Sequence, residues 1–166
     1  MIKMKDVRQQ VLKKIWHSPI YFVAFGFGSG LSRKAPGTCG TIVGIPIYWV
    51  LVHTTSLVYL SVLGVAFLIG VRICQRVSEE LGVDDYPGIV WDEIVGYLVT
   101  MFSLPLNLTW IVLGFAVFRF LDILKPQPIR WIDRHIHGGW GIMLDDALAG
   151  LMACGILHLL NWEING

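Results

Sequence analysis

Two acid pairs stand at the edges of apolar stretches: Asp92-Glu93 ahead of Ile94-Val95-Gly96, and Asp145-Asp146 ahead of Ala147-Leu148-Ala149-Gly150. Neighbouring residues on a helix project about 100° apart, so both acids of a pair cannot point into lipid cheaply. At least one must face a protein interior. Placement in a first helical turn would lower the cost of the charge through the helix dipole. If the two helices pack side by side, with Gly96 and Gly150 allowing close approach, four carboxylates converge. Such a group of anions needs a cation, and hard oxygen donors suit Mg²⁺, which keeps waters and binds substrate phosphates. Asp92, Glu93, Asp145 and Asp146 are therefore the candidate metal ligands. His135 and His137 lie beside Gly138 and Gly139 without zinc spacing and read as polar loop residues.

A third element supplies the opposite charge. Arg119, Asp122 and Lys125 recur at three-residue intervals, near one face of a helix ending at Pro126, and Arg130, Asp133 and Arg134 follow. Exposed (i, i+3) ion pairs would stabilise a helix by only a few tenths of a kcal/mol. Arg119, however, is set among Phe115, Phe118, Phe120 and Leu121. An arginine fork in that setting is suited to phosphate. The run from Gly26 to Thr41 contains many glycines, Arg33 and Lys34, and a Thr38 that could cap the next helix. It is a plausible cradle of backbone N–H groups for an anion, although it lacks the Gly-Lys-Ser/Thr of a P-loop.

The elements that must position these groups are apolar. Of 166 residues, 55% are hydrophobic and 15% charged, and the mean hydropathy is +0.64. Soluble domains have about 45–50% apolar and about 25% charged residues, so the excess here belongs in lipid. Disorder and a nucleic-acid module are excluded by the composition and by a net charge of +1. Cys39, Cys74 and Cys154 are isolated in apolar stretches and read as small buried side chains, not a disulfide framework or a zinc site.

Residues 1–18 are predicted to form a basic amphipathic helix lying on an anionic leaflet. Ile2, Met4, Val7, Val11, Leu12, Ile15 and Trp16 form its apolar face, and Lys3, Lys5, Arg8, Lys13 and Lys14 the basic one. Residues 19–166 form a single helical domain. Its expected apolar segments run over roughly 38–53, 56–71, 89–104 and 108–124, with a last one from Asp146 to Trp162. Breaks fall at His53-Thr54-Thr55-Ser56 and at Pro105 and Asn107. Each helix has about 14–16 apolar residues, or ~21–24 Å, short of the ~30 Å hydrocarbon thickness, which leaves full spanning and partial insertion both open. The fold class is therefore all-α: a compact, membrane-embedded bundle of about five short apolar helices with an N-terminal surface helix. Apart from Glu163, the strongly charged clusters lie at the same ends of the segments, and the positive-inside tendency turns those ends to the cytoplasm.

With these motifs in order, the chain resembles the phosphatidylglycerophosphatase A family. The matching stretches are Gly28-Ser29-Gly30-Leu31-Ser32 with Ala35-Pro36-Gly37-Thr38, and Ile89-Val90-Trp91-Asp92-Glu93-Ile94-Val95-Gly96. They continue with Phe118 to Pro126, Pro128 to Asp133, and His137 to Asp146 with Ala149-Gly150. The resemblance implies a bacterial inner-membrane, Mg²⁺-dependent phosphatase that converts phosphatidylglycerophosphate to phosphatidylglycerol. On that reading the partners are the lipid substrate and the bilayer, with no nucleic acid and no obligate protein partner.

Arg119, Lys125, Arg130, Lys34 and Thr38 would hold the substrate phosphate. Asp122 is the candidate general base or an additional ligand, and Glu93 serves both metal and catalysis. Trp91, Trp131 and Trp140 would anchor the site at the interface. A Cys-x5-Arg loop and an Asp-x-Asp nucleophile pair are absent, which leaves metal-assisted attack. The alternative class is a small ion carrier or transporter subunit, whose carboxylates would lie near the bilayer midplane.

Overall fold

The computed structural model describes residues 4–165, and among these every regular element is a helix. In chain order they are α1 (Met4–Lys14), α2 (Pro19–Ala24), α3 (Pro36–Leu51), α4 (Ser56–Leu81), α5 (Trp91–Thr100), α6 (Leu108–Leu124), α7 (Ile129–His135) and α8 (Gly138–Asn165). A short 3-10 segment, Gly26–Leu31, joins α2 to the approach of α3. The all-helical class expected from the sequence is the observed one, but α4 and α8, at 26 and 28 residues, are longer than the short helices expected, and α2 and α7 are additional short helices. Ile2 and Lys3 of the predicted surface helix lie outside the described residues.

The helix starts follow from local chemistry. Thr55 caps α4 by accepting a hydrogen bond from the Val58 amide at 3.3 Å, and Asn107 caps α6 through the Trp110 amide at 2.9 Å. α5 is shorter than the expected 89–104 and α1 ends at Lys14, but the two largest departures from the sequence expectation are in α4 and α8. α4 does not stop near residue 71 but continues through Arg72–Glu80 to Leu81, ending at a left-handed Gly82. Its last turns remain amphipathic, with Cys74, Val77 and Leu81 buried and Arg76 paired outward to Glu80. Charge alone therefore did not end the helix.

α8 begins at Gly138, not beside Asp146. The Gly139 amide donates to Gln75 Oε1 of α4 at 2.6 Å, and a Cβ on Gly139 would collide with the Val71 carbonyl. The Gly-Gly pair is thus a close helix crossing, not a loop. Asp145 and Asp146 consequently lie about two turns inside α8, where they cannot be capping acids.

α5 is the central element: every residue from Ile94 to Thr100 is buried. It packs most closely against α8 and α3. The α5–α8 approach depends on two glycines, since a Cβ on Gly96 would come within 2.8 Å of the Asp146 carbonyl and one on Gly150 would strike Gly96 O. A short helix buried this deeply leaves end carbonyls without water. Tyr59 donates to Leu98 O of its last turn at 2.7 Å, and Tyr48 donates to Leu104 O of the following turn at 3.0 Å.

The outer faces carry the apolar excess. Leu57, Val65 and Leu68 of α4, Phe120 and Ile123 of α6, and Leu151 and Leu159 of α8 are exposed. Ser56–Leu81 and Gly138–Ile164 are long and apolar enough to cross a membrane. α1 is docked on the bundle through buried Val7, Val11 and Ile15, leaving Met4, Leu12 and Trp16 exposed. Its end is tied to α4 by Lys14 Nζ on Glu80 at 2.7 Å, with the Tyr21 hydroxyl donating to the same carboxylate at 3.2 Å.

Candidate active site

Four helices bring their polar residues to one cleft of about 460 Å³. The N-terminus of α3 contributes Lys34, Gly37 and Thr38, and the first turn of α5 contributes Asp92 and Glu93. The last turns of α6 give Arg119, Asp122 and Lys125, and α8 gives Asp145 and Asp146. Asp85, from the segment preceding α5, completes the lining. Six carboxylates thus face three cations, and the excess negative charge calls for a further cation.

The carboxylates are not equivalent. One oxygen from each of Asp92, Glu93 and Asp146 lies within 4.8 Å of the others. Asp92 Oδ1, Glu93 Oε2 and Asp146 Oδ2 are buried and have no hydrogen-bond partner. Leaving even one such oxygen unsatisfied is costly, so three side by side mark a place shaped for a cation. An all-oxygen donor set of this kind fits Mg²⁺ and offers nothing a soft metal prefers. Asp145 is held apart: Lys125 Nζ donates to its Oδ2 at 2.6 Å and pairs also with Asp133. Burial would lower the ammonium's pKa, but Asp145 and Asp133 outweigh it and keep the Lys125 pKa raised.

Arg119 is the largest cation inside the cleft. It forms ion pairs with Asp122 and, at 3.7 Å, with Glu93. Both contacts are made by Nη1, and Nε remains buried without a hydrogen-bond acceptor. Its Nε–H is therefore available for an oxyanion. The α3 N-terminus faces the same space. Ala35 is its N-cap and Pro36 its first residue, and the first helix bond runs from the Cys39 amide to Ala35 O at 3.1 Å. The Gly37 and Thr38 amides therefore have no helical acceptor. Thr38 was expected to cap α3 but sits in its first turn, where its side chain lines the cleft.

The structure thus brings together Asp92, Glu93, Asp145, Asp146, Asp122, Arg119, Lys125, Lys34 and Thr38. It places Arg130 elsewhere: exposed on α7, it donates from Nη2 to Leu124 O at 3.2 Å and does not line the cleft. Trp131 and Trp140 are exposed, as interface anchors would be, whereas Trp91 is partly buried and donates its indole N–H to Ala66 O at 3.0 Å.

Two contributors escaped the sequence reading. Asp85 carries no helical periodicity that would have pointed it inward. Gly37 was visible only as part of Ala35-Pro36-Gly37-Thr38, yet a Cβ there would lie 3.0 Å from the Arg119 guanidinium and would collide with Glu93 Oε1. Its lack of a side chain is what lets α3 approach the charged cluster.

The phosphatidylglycerophosphatase A family profile matches residues 22–161. The chain is 43% identical over 163 residues to phosphatidylglycerophosphatase A of Escherichia coli strain K12, covering 96% of this chain and 94% of that protein. It is 41% identical over 154 residues to phosphatidylglycerophosphatase A of Haemophilus influenzae, covering 91% and 94%. A Bacteroides thetaiotaomicron protein provisionally named a phosphatidylinositol-3-phosphatase is 34% identical over 149 residues, covering 86% and 93%. No solved structure matches the chain.

Proposed function

Because this chain belongs to the phosphatidylglycerophosphatase A family and is a phosphatase, we propose that it removes the terminal phosphate of phosphatidylglycerophosphate, using Mg²⁺, at the cytoplasmic face of a bacterial inner membrane. The observation that carries the metal requirement is the trio of partnerless carboxylate oxygens on Asp92, Glu93 and Asp146, beside an arginine whose Nε–H is unused.

Asp92, Glu93 and Asp146 would hold the metal. When bound, Mg²⁺ supplies Lewis-acid polarisation of the phosphoryl group and lowers the pKa of the attacking water. The chain's own residues do the rest. Arg119 directs its spare Nε–H to the phosphoryl oxygens as charge spreads over them, which is the main demand of phosphoryl transfer. The Gly37 and Thr38 amides and the Thr38 hydroxyl, next to the Arg119 guanidinium, hold the same anion, aided by the α3 dipole. Lys34 at the rim draws the headgroup in.

Asp122, fixed by Arg119 beside Asp146, accepts a proton from the attacking water. Lys125 holds Asp145 and Asp133 and so sets the charge along the cleft wall.

The same end of the bundle carries the basic face of α1, together with Arg33, Lys34, Arg72, Arg76, Arg130 and Arg134, while no Lys or Arg follows residue 134. That asymmetry supports a cytoplasmic orientation. Acyl chains can then stay beside the exposed apolar faces of α4, α6 and α8 while only the headgroup enters. An ion carrier would need its acids near mid-helix, and here they gather at one end.

Phosphate release by purified protein from phosphatidylglycerophosphate, with EDTA and then with Mg²⁺ restored, tests the proposal. Loss and recovery of activity is the expected result. Full activity in EDTA would remove the metal, and no release from this lipid under any condition would remove the substrate.

A further inference from the structure

A second pocket of about 190 Å³ adjoins the cleft and has the opposite electrostatic character. The two share Pro36 and Pro87 as a common wall. Where the cleft presents six carboxylates, this pocket has none: its polar lining is Arg8, Arg33, Ser32 and Tyr86. Arg8 reaches in from α1 and, among the described residues, donates only to Leu31 O, at 3.4 Å. Arg33 is exposed and forms no ion pair with any described residue. Two guanidinium forks without a carboxylate between them form a binding place for an oxyanion. The rest of the wall, including Met4, Val11 and Leu31, is apolar. An anion attached to hydrocarbon suits such a lining better than a free ion.

We propose that this pocket binds the bridging phosphodiester of the same lipid whose terminal phosphomonoester lies in the cleft. The inference rests on the substrate proposed above, which carries both phosphates joined through one glycerol. Within the cleft the diester would meet unfavourable charge, since Arg119 is shared with Asp122 and Glu93 and Lys125 is committed to Asp133 and Asp145. Past the Pro36–Pro87 wall it meets only cations and neutral groups. Arg8 and Arg33 are then binding residues that select a lipid with two phosphates, and docking of α1 on the bundle completes their site.

The test is steady-state hydrolysis of phosphatidylglycerophosphate in neutral detergent micelles by the full chain, its Arg33→Ala variant and the Arg8→Gln/Arg33→Ala pair. Two inhibitors are compared: phosphatidylglycerol, which carries only the diester, and inorganic phosphate. The paired variant is expected to raise KM and the inhibition constant for phosphatidylglycerol about tenfold each, as for loss of a charge-assisted hydrogen bond. Both kcat and inhibition by inorganic phosphate should stay within about twofold, because the cleft is untouched.

Arg33→Ala, on an exposed turn, should show the same pattern in smaller degree and guards against a disturbed α1. An unchanged KM, an equal loss against both inhibitors, or a fall in kcat alone would each overturn the proposal. So would activation or non-competitive inhibition by phosphatidylglycerol, which would place a separate lipid in the pocket. An unmodified chain inactive on phosphatidylglycerophosphate would instead defeat the substrate assignment.

Discussion

Asp92-Glu93 and Asp145-Asp146 look interchangeable in the sequence, each an acid pair followed by apolar residues and a glycine. The fold treats them differently. The first pair opens a ten-residue helix, and both of its side chains join the partnerless oxygen cluster. The second lies two turns inside a long helix, and its members diverge: Asp146 completes the cluster, while Asp145 is neutralised by Lys125. Position relative to the helix start accounts for part of this. Acids in a first turn are favoured by the dipole, whereas acids deeper in a helix need a partner from outside it. Identical residue types one position apart can therefore serve as an open site and as a closed ion pair.

The sharpest test compares Asp146→Asn with Asp145→Asn, because the two changes are adjacent and chemically identical. Asp146→Asn, like Asp92→Asn, should lower kcat/KM by about 10³-fold or more, since several kcal/mol of charge stabilisation would be lost. Thermal stability should not fall, because an unsatisfied buried charge is being removed. Asp145→Asn should cost only about tenfold, with Lys125 still paired to Asp133. Equal losses at 145 and 146 in phosphate-release assays would abolish the distinction between the two.

Gly37→Ala perturbs the first pair alone. The added methyl would press on Glu93 and Arg119, and a displacement near 1 Å in such a site costs about 10²-fold in rate. Alanine is also the better helix former by about 1 kcal/mol, so a variant with lower activity and an unchanged or higher Tm is expected. Reduced activity accompanied by a lower Tm would point to misfolding of the α3 entry instead.

How much of this was legible follows from what each signal reports. Apolar runs and their polar breaks located the main helices, and Gly96 and Gly150, each just after an acid pair, pointed to the α5–α8 approach, although Gly64 and Gly155 sit in helices with open space around them. The clustering of charge at one end told which residues would meet. The depth of Asp145 and Asp146 was not legible, because Gly138-Gly139 is locally a breaker and becomes a helix start only through Gln75, 64 residues away. The same holds for the run of α4 past Arg72, where a buried stripe of Cys74, Val77 and Leu81 outweighs a polar composition. Asp85 and Gly37 matter through tertiary neighbours alone, and spacing along the chain does not encode those.

Arg130 gives the smallest expected effect and bears on the closed half of the comparison. As a phosphate ligand it would be worth at least a factor of ten, the usual return from a charged hydrogen bond. The structure instead directs its guanidinium to Leu124 O, the residue just before Lys125, and leaves it exposed. Its influence on the cleft would then pass through the end of α6 and the seating of Lys125 against Asp145. Exposed interactions of that kind contribute about 0.2–1 kcal/mol, so Arg130→Ala should lower kcat/KM by no more than about fivefold. That small loss should disappear when the substitution is made in an Asp145→Asn background, since the ion pair it supports is already gone. A full tenfold loss that persists in that background would return Arg130 to the phosphate and show that the headgroup extends beyond the cleft toward α7.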